Sequence, residues 1–137
     1  GRFQVFRTRD RTLVLDVAHN PEGARELMAA LRGHFPASPV ILVTGTSRNH
    51  DPLPFLQEFV SMSPRVVATE PAFRPNPAAM TADAALELGL RAEIVVPVPM
   101  AVEYGLSQTP PGGVCCVTGS FFVVGDIPRD LLPQKIG

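Results

Sequence analysis

The chain has no tryptophan and a single tyrosine, so it is poorly supplied with the aromatic platforms on which nucleic-acid bases stack. It also lacks a dominant charge. Twelve Lys and Arg against 13 Asp and Glu leave a formal net charge of −1, which supplies no long-range field to recruit nucleic acid or an anionic membrane. No apolar run approaches the length of a membrane span. Cysteine is scarce: Cys115 and Cys116 are adjacent within an apolar run. Neighbours on a strand point to opposite faces, so these two are badly placed to bridge or to share a metal. They read as buried small hydrophobes in a reducing compartment. The expected protein is soluble and cytoplasmic, with no metal site of its own and neither membrane nor nucleic acid as a partner.

What is present fits one domain. The length of 137 residues is too short for two independent cores, and 45% hydrophobic against 18% charged residues is a globular balance. The 11 glycines and 15 prolines are spread between apolar runs as punctuation rather than gathered in a tail. The start at Gly1-Arg2-Phe3, without methionine, reads as a piece cut from a longer protein, although a processed terminus begins the same way.

Alternation over 3–7 predicts a strand with one wet face, followed by a polar turn at 9–11. The apolar runs 12–18, 39–44, 65–69 and 92–96 read as buried strands. Between them lie helical patterns: one opening at Pro21 with Asn20 as cap and Gly33 as its end, then 52–62, 78–88 and a looser segment at 101–106. The runs 113–118 and 121–124 read as two closing strands with Gly119-Ser120 between them. Strands alternating with helices predict an α/β, Rossmann-like, three-layer open sheet, mostly parallel, with helices on both faces. In such a sheet functional residues gather at the carboxyl ends of the strands, here the loops at 16–21, 45–51, 69–77 and 118–120.

Each loop has a functional and a structural reading. Asp16 at a strand end, with His19 and the start of a capped helix, can make a ribose and anion site, because a helix N-terminus offers free N–H groups. Equally, Asp16 and Asn20 can satisfy backbone groups in a tight turn, with His19 solvated. The loop Gly45-Thr46-Ser47-Arg48-Asn49-His50-Asp51 is neither a Walker loop nor a dinucleotide fingerprint. His50 and Asp51 lack a third metal ligand, and Asp51 as a helix cap is the favoured reading. Gly119 permits close backbone approach and Ser120 can donate a hydrogen bond, while a tight connection accounts for both about as well. The glycine that a nucleophile elbow requires two residues before its serine is missing ahead of Ser120. Arg74 reads as an ordinary solvated arginine, and His34 as a cation near a helix end.

In combination these segments resemble one family. A Gly-Arg-hydrophobic start, a strand ending Asp16-Val17-Ala18-His19-Asn20-Pro21, and the closing Val117-Thr118-Gly119-Ser120 are similar to the C-terminal domain of folylpolyglutamate and dihydrofolate synthases, of the Mur ligase superfamily. The resemblance implies one domain over 1–137, detached from an N-terminal ATPase domain that carries the P-loop and the magnesium ligands. It implies a ligase in which ATP phosphorylates the carboxylate of dihydropteroate or a folate, and the amine of L-glutamate attacks the acyl phosphate. By position, Arg2 and Asp16 would contact ATP, the latter at the ribose. His19 would lie near the phosphate and glutamate as the catalytic candidate, and Ser120 on the glutamate side. Two departures stand out: Val17 where the family has Gly or Ala, and His50-Asp51 where it often has Lys-Asp. The alternatives are the C-terminal domain of a peptidoglycan Mur ligase and a non-catalytic Rossmann-like binding module; the isolated chain is expected to be inactive.

Overall fold

The computed structural model describes residues 3–132. β1 (Gln4–Thr8) and β2 (Arg11–Leu15) form an antiparallel hairpin in which Thr8 pairs with Arg11 across the two-residue turn Arg9-Asp10. Every later pairing is parallel. β3 (Val40–Thr44), β4 (Arg65–Ala68), β5 (Ala92–Ile94) and β6 (Val114–Thr118) complete a sheet of order β1-β2-β6-β3-β4-β5. The last strand is thus inserted between the second and third, which brings the ends of β2, β6 and β3 side by side. This is the α/β, Rossmann-like, mostly parallel sheet expected from the sequence.

The two-residue period of each strand divides the core. Val14, Leu42, Val66 and Cys116 pack to one face, against α1 (Pro21–His34), α2 (Pro52–Gln57) and α3 (Ala78–Glu87). Leu13, Leu15, Ile41, Val43, Val67, Cys115 and Val117 pack to the other, against α4 (Val98–Gln108) and α5 (Phe121–Gly125). Burial of both faces is what a parallel sheet requires, and β3 and β6 are buried at every position. The adjacent cysteines belong to opposite cores, and both are free thiols. Among the described residues no helix is long and apolar enough to cross a membrane.

Caps set the helix starts. Asn20 Oδ1 accepts from the N–H of Gly23 at 2.8 Å with Pro21 in the first turn, as the sequence predicts. Asp51 caps α2 through Leu53 N–H at 2.9 Å, the structural role preferred for it. Three expectations need correction. Gly33 does not end α1, which runs one residue further to His34 with Phe35 at its cap. The helix expected at 52–62 is α2 followed by a separate 3-10 turn at Val60–Met62. Most consequentially, the run at 121–124 is a helix and not a strand. Ser120 Oγ accepts from Val123 N–H at 3.0 Å and caps α5, of whose residues only Val123 is buried. A strand there would need an apolar layer that Phe121 and Phe122, 70% and 39% exposed, do not have.

Candidate functional site

The carboxyl ends of β2, β6 and β3 meet because two glycines let their backbones touch. Gly119 follows β6 with φ +120°, and a Cβ there would overlap the carbonyl oxygen of Gly45 and the hydroxyl of Thr44. A Cβ on Gly45 would in turn overlap the carbonyl oxygen of Thr69, after β4. The Gly119 N–H donates to the carbonyl of Ala18 at 3.0 Å, and the Thr118 hydroxyl donates to the same oxygen at 3.3 Å. The loop after β2 is thereby fixed to the end of β6.

Above this junction lies a cavity of about 570 Å³, lined by residues that include Phe3, Asp16, His19, Glu22, Glu26 and Phe121. Asp16 is half-buried in it, and both of its oxygens are occupied from within the chain. Oδ2 accepts from Phe3 N–H at 3.0 Å and Oδ1 from Ala18 N–H at 2.9 Å. Each carboxylate oxygen has further acceptor capacity, so the arrangement orients the group without exhausting it. The structural and the ligand-binding readings of Asp16 are compatible.

His19 is exposed at the start of α1, with Nδ1 3.3 Å from the carbonyl of Val17. A carbonyl only accepts, so this contact places the ring proton on Nδ1 and leaves Nε2 as the free nitrogen. Its ring meets that of His50 edge to face, with centroids 5.6 Å apart and planes at 89°. The structure therefore brings together two histidines that lie on different loops. His50 is held by Asn76, whose Nδ2 donates to the His50 carbonyl and to Thr46 Oγ1, both at 2.7 Å. Asn76 is buried and went unnoticed in the sequence; its place between two prolines, Pro75 and Pro77, was the one local signal.

Ser120 does not line the cavity. It is 2% exposed, and its Oγ serves as the cap of α5. Its neighbour Phe121 reaches the cavity instead. Phe122 turns toward Phe73, with centroids 4.9 Å apart, and the three rings make an exposed aromatic rim. Arg74 is exposed at φ +46° on the loop before α3. Arg2 lies outside the described residues. Among the described residues there is no group of three or more His, Cys, Asp or Glu placed to hold a metal ion.

The comparisons with known proteins agree with this geometry. A folylpolyglutamate synthase from Thermotoga maritima superposes with a TM-score of 0.81 at 28% identity, over 96% of this chain and 30% of that one. The bifunctional folylpolyglutamate synthase/dihydrofolate synthase of Yersinia pestis gives 0.78 at 27%, over 90% of this chain and 29% of that one. The Yersinia enzyme has been crystallised with AMPPNP and Mn, and a bifunctional folylpolyglutamate synthase/dihydrofolate synthase with Mn, AMPPNP and L-glutamate bound. A UDP-N-acetylmuramoyl-L-alanyl-D-glutamate–2,6-diaminopimelate ligase, at 0.67 and 22% over 87% of this chain and 26% of that one, shares the fold. The chain thus spans less than a third of the structures it matches. No curated protein sequence matches it. The family model described as Mur ligase, glutamate ligase domain, matches residues 1–121, and the chain belongs to that family.

Proposed function

We propose that this chain is the C-terminal domain of an ATP-dependent ligase that joins L-glutamate to dihydropteroate or a folate, and that it supplies the nucleotide and glutamate side of an interdomain cleft. The observation that carries the reading is the convergence of Asp16, His19 and Phe121 on one cavity at the carboxyl ends of the strands, in a chain of this family. That is where an open α/β sheet binds its ligands. The fit to the two folylpolyglutamate synthases, over nine-tenths or more of the chain, favours a folate-type acceptor over a muramyl peptide.

In the proposed reaction ATP transfers its terminal phosphoryl group to the acceptor carboxylate. The amine of glutamate then attacks the acyl carbon and displaces phosphate. Asp16, already oriented by two backbone N–H groups, accepts hydrogen bonds from the ribose hydroxyls, and Arg2 contacts the nucleotide. His19 presents Nε2 to the reacting phosphate and the incoming glutamate. Ser120, expected on the glutamate side, acts there indirectly: buried, it caps α5 and so holds Phe121 at the cavity. The magnesium ligands belong to the N-terminal ATPase domain, which is the chain's principal partner. Alone, the domain binds ATP weakly and turns nothing over, because half a site leaves most phosphate contacts unmade.

The test is product formation by the full-length protein given ATP, L-glutamate and one of three acceptors: dihydropteroate, tetrahydrofolate or a muramyl peptide. Glutamylated pterin product, seen by mass spectrometry, is the expected result. Product from the muramyl peptide alone would move the assignment to a peptidoglycan ligase. No product from any acceptor would leave a binding module of this fold.

A further inference from the structure

Every exposed phenylalanine of the chain stands in one place. Phe73, Phe121 and Phe122 form the rim beside the cavity, while the other five phenylalanines are buried or half-buried. The Phe73 and Phe122 centroids are 4.9 Å apart and those of Phe121 and Phe122 6.4 Å, separations at which ring pairs attract. Phe121 continues the rim into the cavity lining. The rim is built rather than loose. Phe121 and Phe122 begin α5, which buries only Val123 and is held by side chains at both ends. Ser120 caps its start, and at its end Asp126 accepts from Ala72 N–H at 2.6 Å, which draws in the loop that carries Phe73. The other end of that loop is fixed by Asn76 to Thr46, and by Arg48 N–H to Arg74 O at 2.8 Å. The loops after β3, β4 and β6 are thereby joined. The flank of the rim is basic. Arg74 directly follows Phe73, Arg48 is its backbone partner, and both are exposed with no ion pair among the described residues. The neighbouring acids are engaged, Asp126 with Ala72 and Glu70 with Ala78 N–H at 3.2 Å.

Resting on the ligase reading, we infer that this rim receives the aromatic ring of an acceptor whose reacting carboxylate is bonded directly to that ring, and that Asp126 is the positioning residue that holds the rim together. An exposed apolar patch continuous with a cavity is where a ligand recovers the burial that the fold leaves unused. Phenyl rings pair with another flat ring, and a carboxylate one bond from that ring meets the basic flank. Among the three acceptors, dihydropteroate has this chemistry, since its reacting carboxylate sits on the benzene ring. In tetrahydrofolate a flexible glutamyl residue separates ring and reacting carboxylate, so ring and charge cannot both be held by so compact a surface without ordering that linker. A muramyl peptide offers no ring. The rim is therefore a specificity element, and it favours the aryl carboxylate. Asp126 contributes without touching the acceptor: it ties the Phe73 loop to the helix that carries Phe121 and Phe122.

The test is calorimetric titration of the full-length protein with dihydropteroate and with tetrahydrofolate, AMPPNP being present, and with AMPPNP alone. Ligation is assayed in parallel. Phe73→Leu and Phe121→Leu keep the rim apolar but remove a ring, and each should weaken dihydropteroate about fivefold to tenfold while tetrahydrofolate changes by less than about twofold. Phe121→Tyr, which keeps the ring, should bind as the wild type does. Phe73 does not line the cavity, so Phe73→Leu should leave AMPPNP affinity unchanged. Asp126→Ala should reproduce the loss for dihydropteroate, and Asp126→Asn, which keeps an oxygen for Ala72 N–H, should restore it. Unfolding curves check that each variant is folded, and the two leucine variants carry the test if Asp126→Ala is not. Equal weakening of both acceptors, leucine variants that bind dihydropteroate normally, or wild-type protein that does not bind it would each overturn the inference. So would a loss of AMPPNP affinity in Phe73→Leu that matches the loss of dihydropteroate, the mark of a rim that docks the N-terminal domain instead. Ring-dependent binding in a protein that ligates none of the acceptors would retain the rim and refute the ligase assignment. Ligation of dihydropteroate unaltered by either leucine variant would do the reverse.

Discussion

The carboxylate of Asp16, just after β2, holds the backbone N–H of Phe3 at 3.0 Å, thirteen residues away and just before β1. Its other oxygen holds Ala18 N–H at 2.9 Å. One side chain thus closes the open end of the hairpin and shapes the loop that carries His19. The residue proposed to meet the ribose is also a structural staple, and its variants must be read with that in mind.

Asp16→Asn should separate the two roles. An amide keeps one acceptor for Ala18 but turns a donor toward Phe3 N–H, so about 1–2 kcal/mol of stability is lost. Chemical denaturation of the chain checks this. An unfolding midpoint equal to that of the wild type would mean that Asp16 has no structural role and would remove the staple.

Gly119→Ala should cost far more than Gly112→Ala. Both glycines have positive φ, but the added methyl at Gly119 overlaps Gly45 and Thr44, while Gly112 faces open space. Strain together with overlap predicts about 2–4 kcal/mol at Gly119, against about 1 kcal/mol at Gly112. Thermal melts of the two variants give the comparison, and equal losses would contradict the close approach of the β6 and β3 ends.

Acid stability should depend on a cluster away from the cavity, where α4 meets the edge strand β5. The Tyr104 hydroxyl donates to Glu93 Oε2 at 2.6 Å, and Arg65 Nε donates to Glu93 Oε1 at 2.8 Å. The tyrosine bond above all, and the guanidinium after it, hold the Glu93 carboxyl below its ordinary value of 4.5. A lowered folded-state value stabilises above pH 4.5 and is lost as pH falls through the lowered value. Tyr104→Phe should therefore lower the denaturation midpoint at neutral pH, and the gap from wild type should narrow below pH 4.5. A gap that is constant down to pH 3 would assign the loss to packing alone.

The thiols should be inert. Cys115 and Cys116 are fully buried, and burial pushes the Cys115 thiol up to about 12 and that of Cys116 well above its usual range. Because the thiolate is the reactive form, a disulfide reagent should label neither residue in the folded chain and both after denaturation. Rapid labelling of native protein would mean that β6 opens readily.

Much of this was legible in the sequence because the signals are local. Buried runs such as Val40–Thr44, and the Asn20-Pro21 cap, carry their own physics within a few residues. The Asp-x-Ala-His-Asn-Pro segment marked both the family and the loop that proves to line the cavity. The run after Ser120 misled because four apolar residues fit either period; its capping serine, three residues before Val123, was the deciding cue. The insertion of β6 between β2 and β3, and with it the meeting of His19 and His50, depends on long-range pairing that no local pattern encodes. Asn76 was hidden for the same reason, since its partners lie 26 and 30 residues away.

The most direct measurement is steady-state glutamate ligation by the full-length protein, comparing wild type with Asp16→Ala and His19→Ala. The account predicts that Asp16→Ala raises KM for ATP, with unfolding curves checking that the variant is folded at the assay temperature. It predicts that His19→Ala lowers kcat and raises KM for glutamate, with the ATP dependence little changed. Variants indistinguishable from wild type in both kcat and KM would contradict the claim that this domain forms the ATP and glutamate side of the cleft.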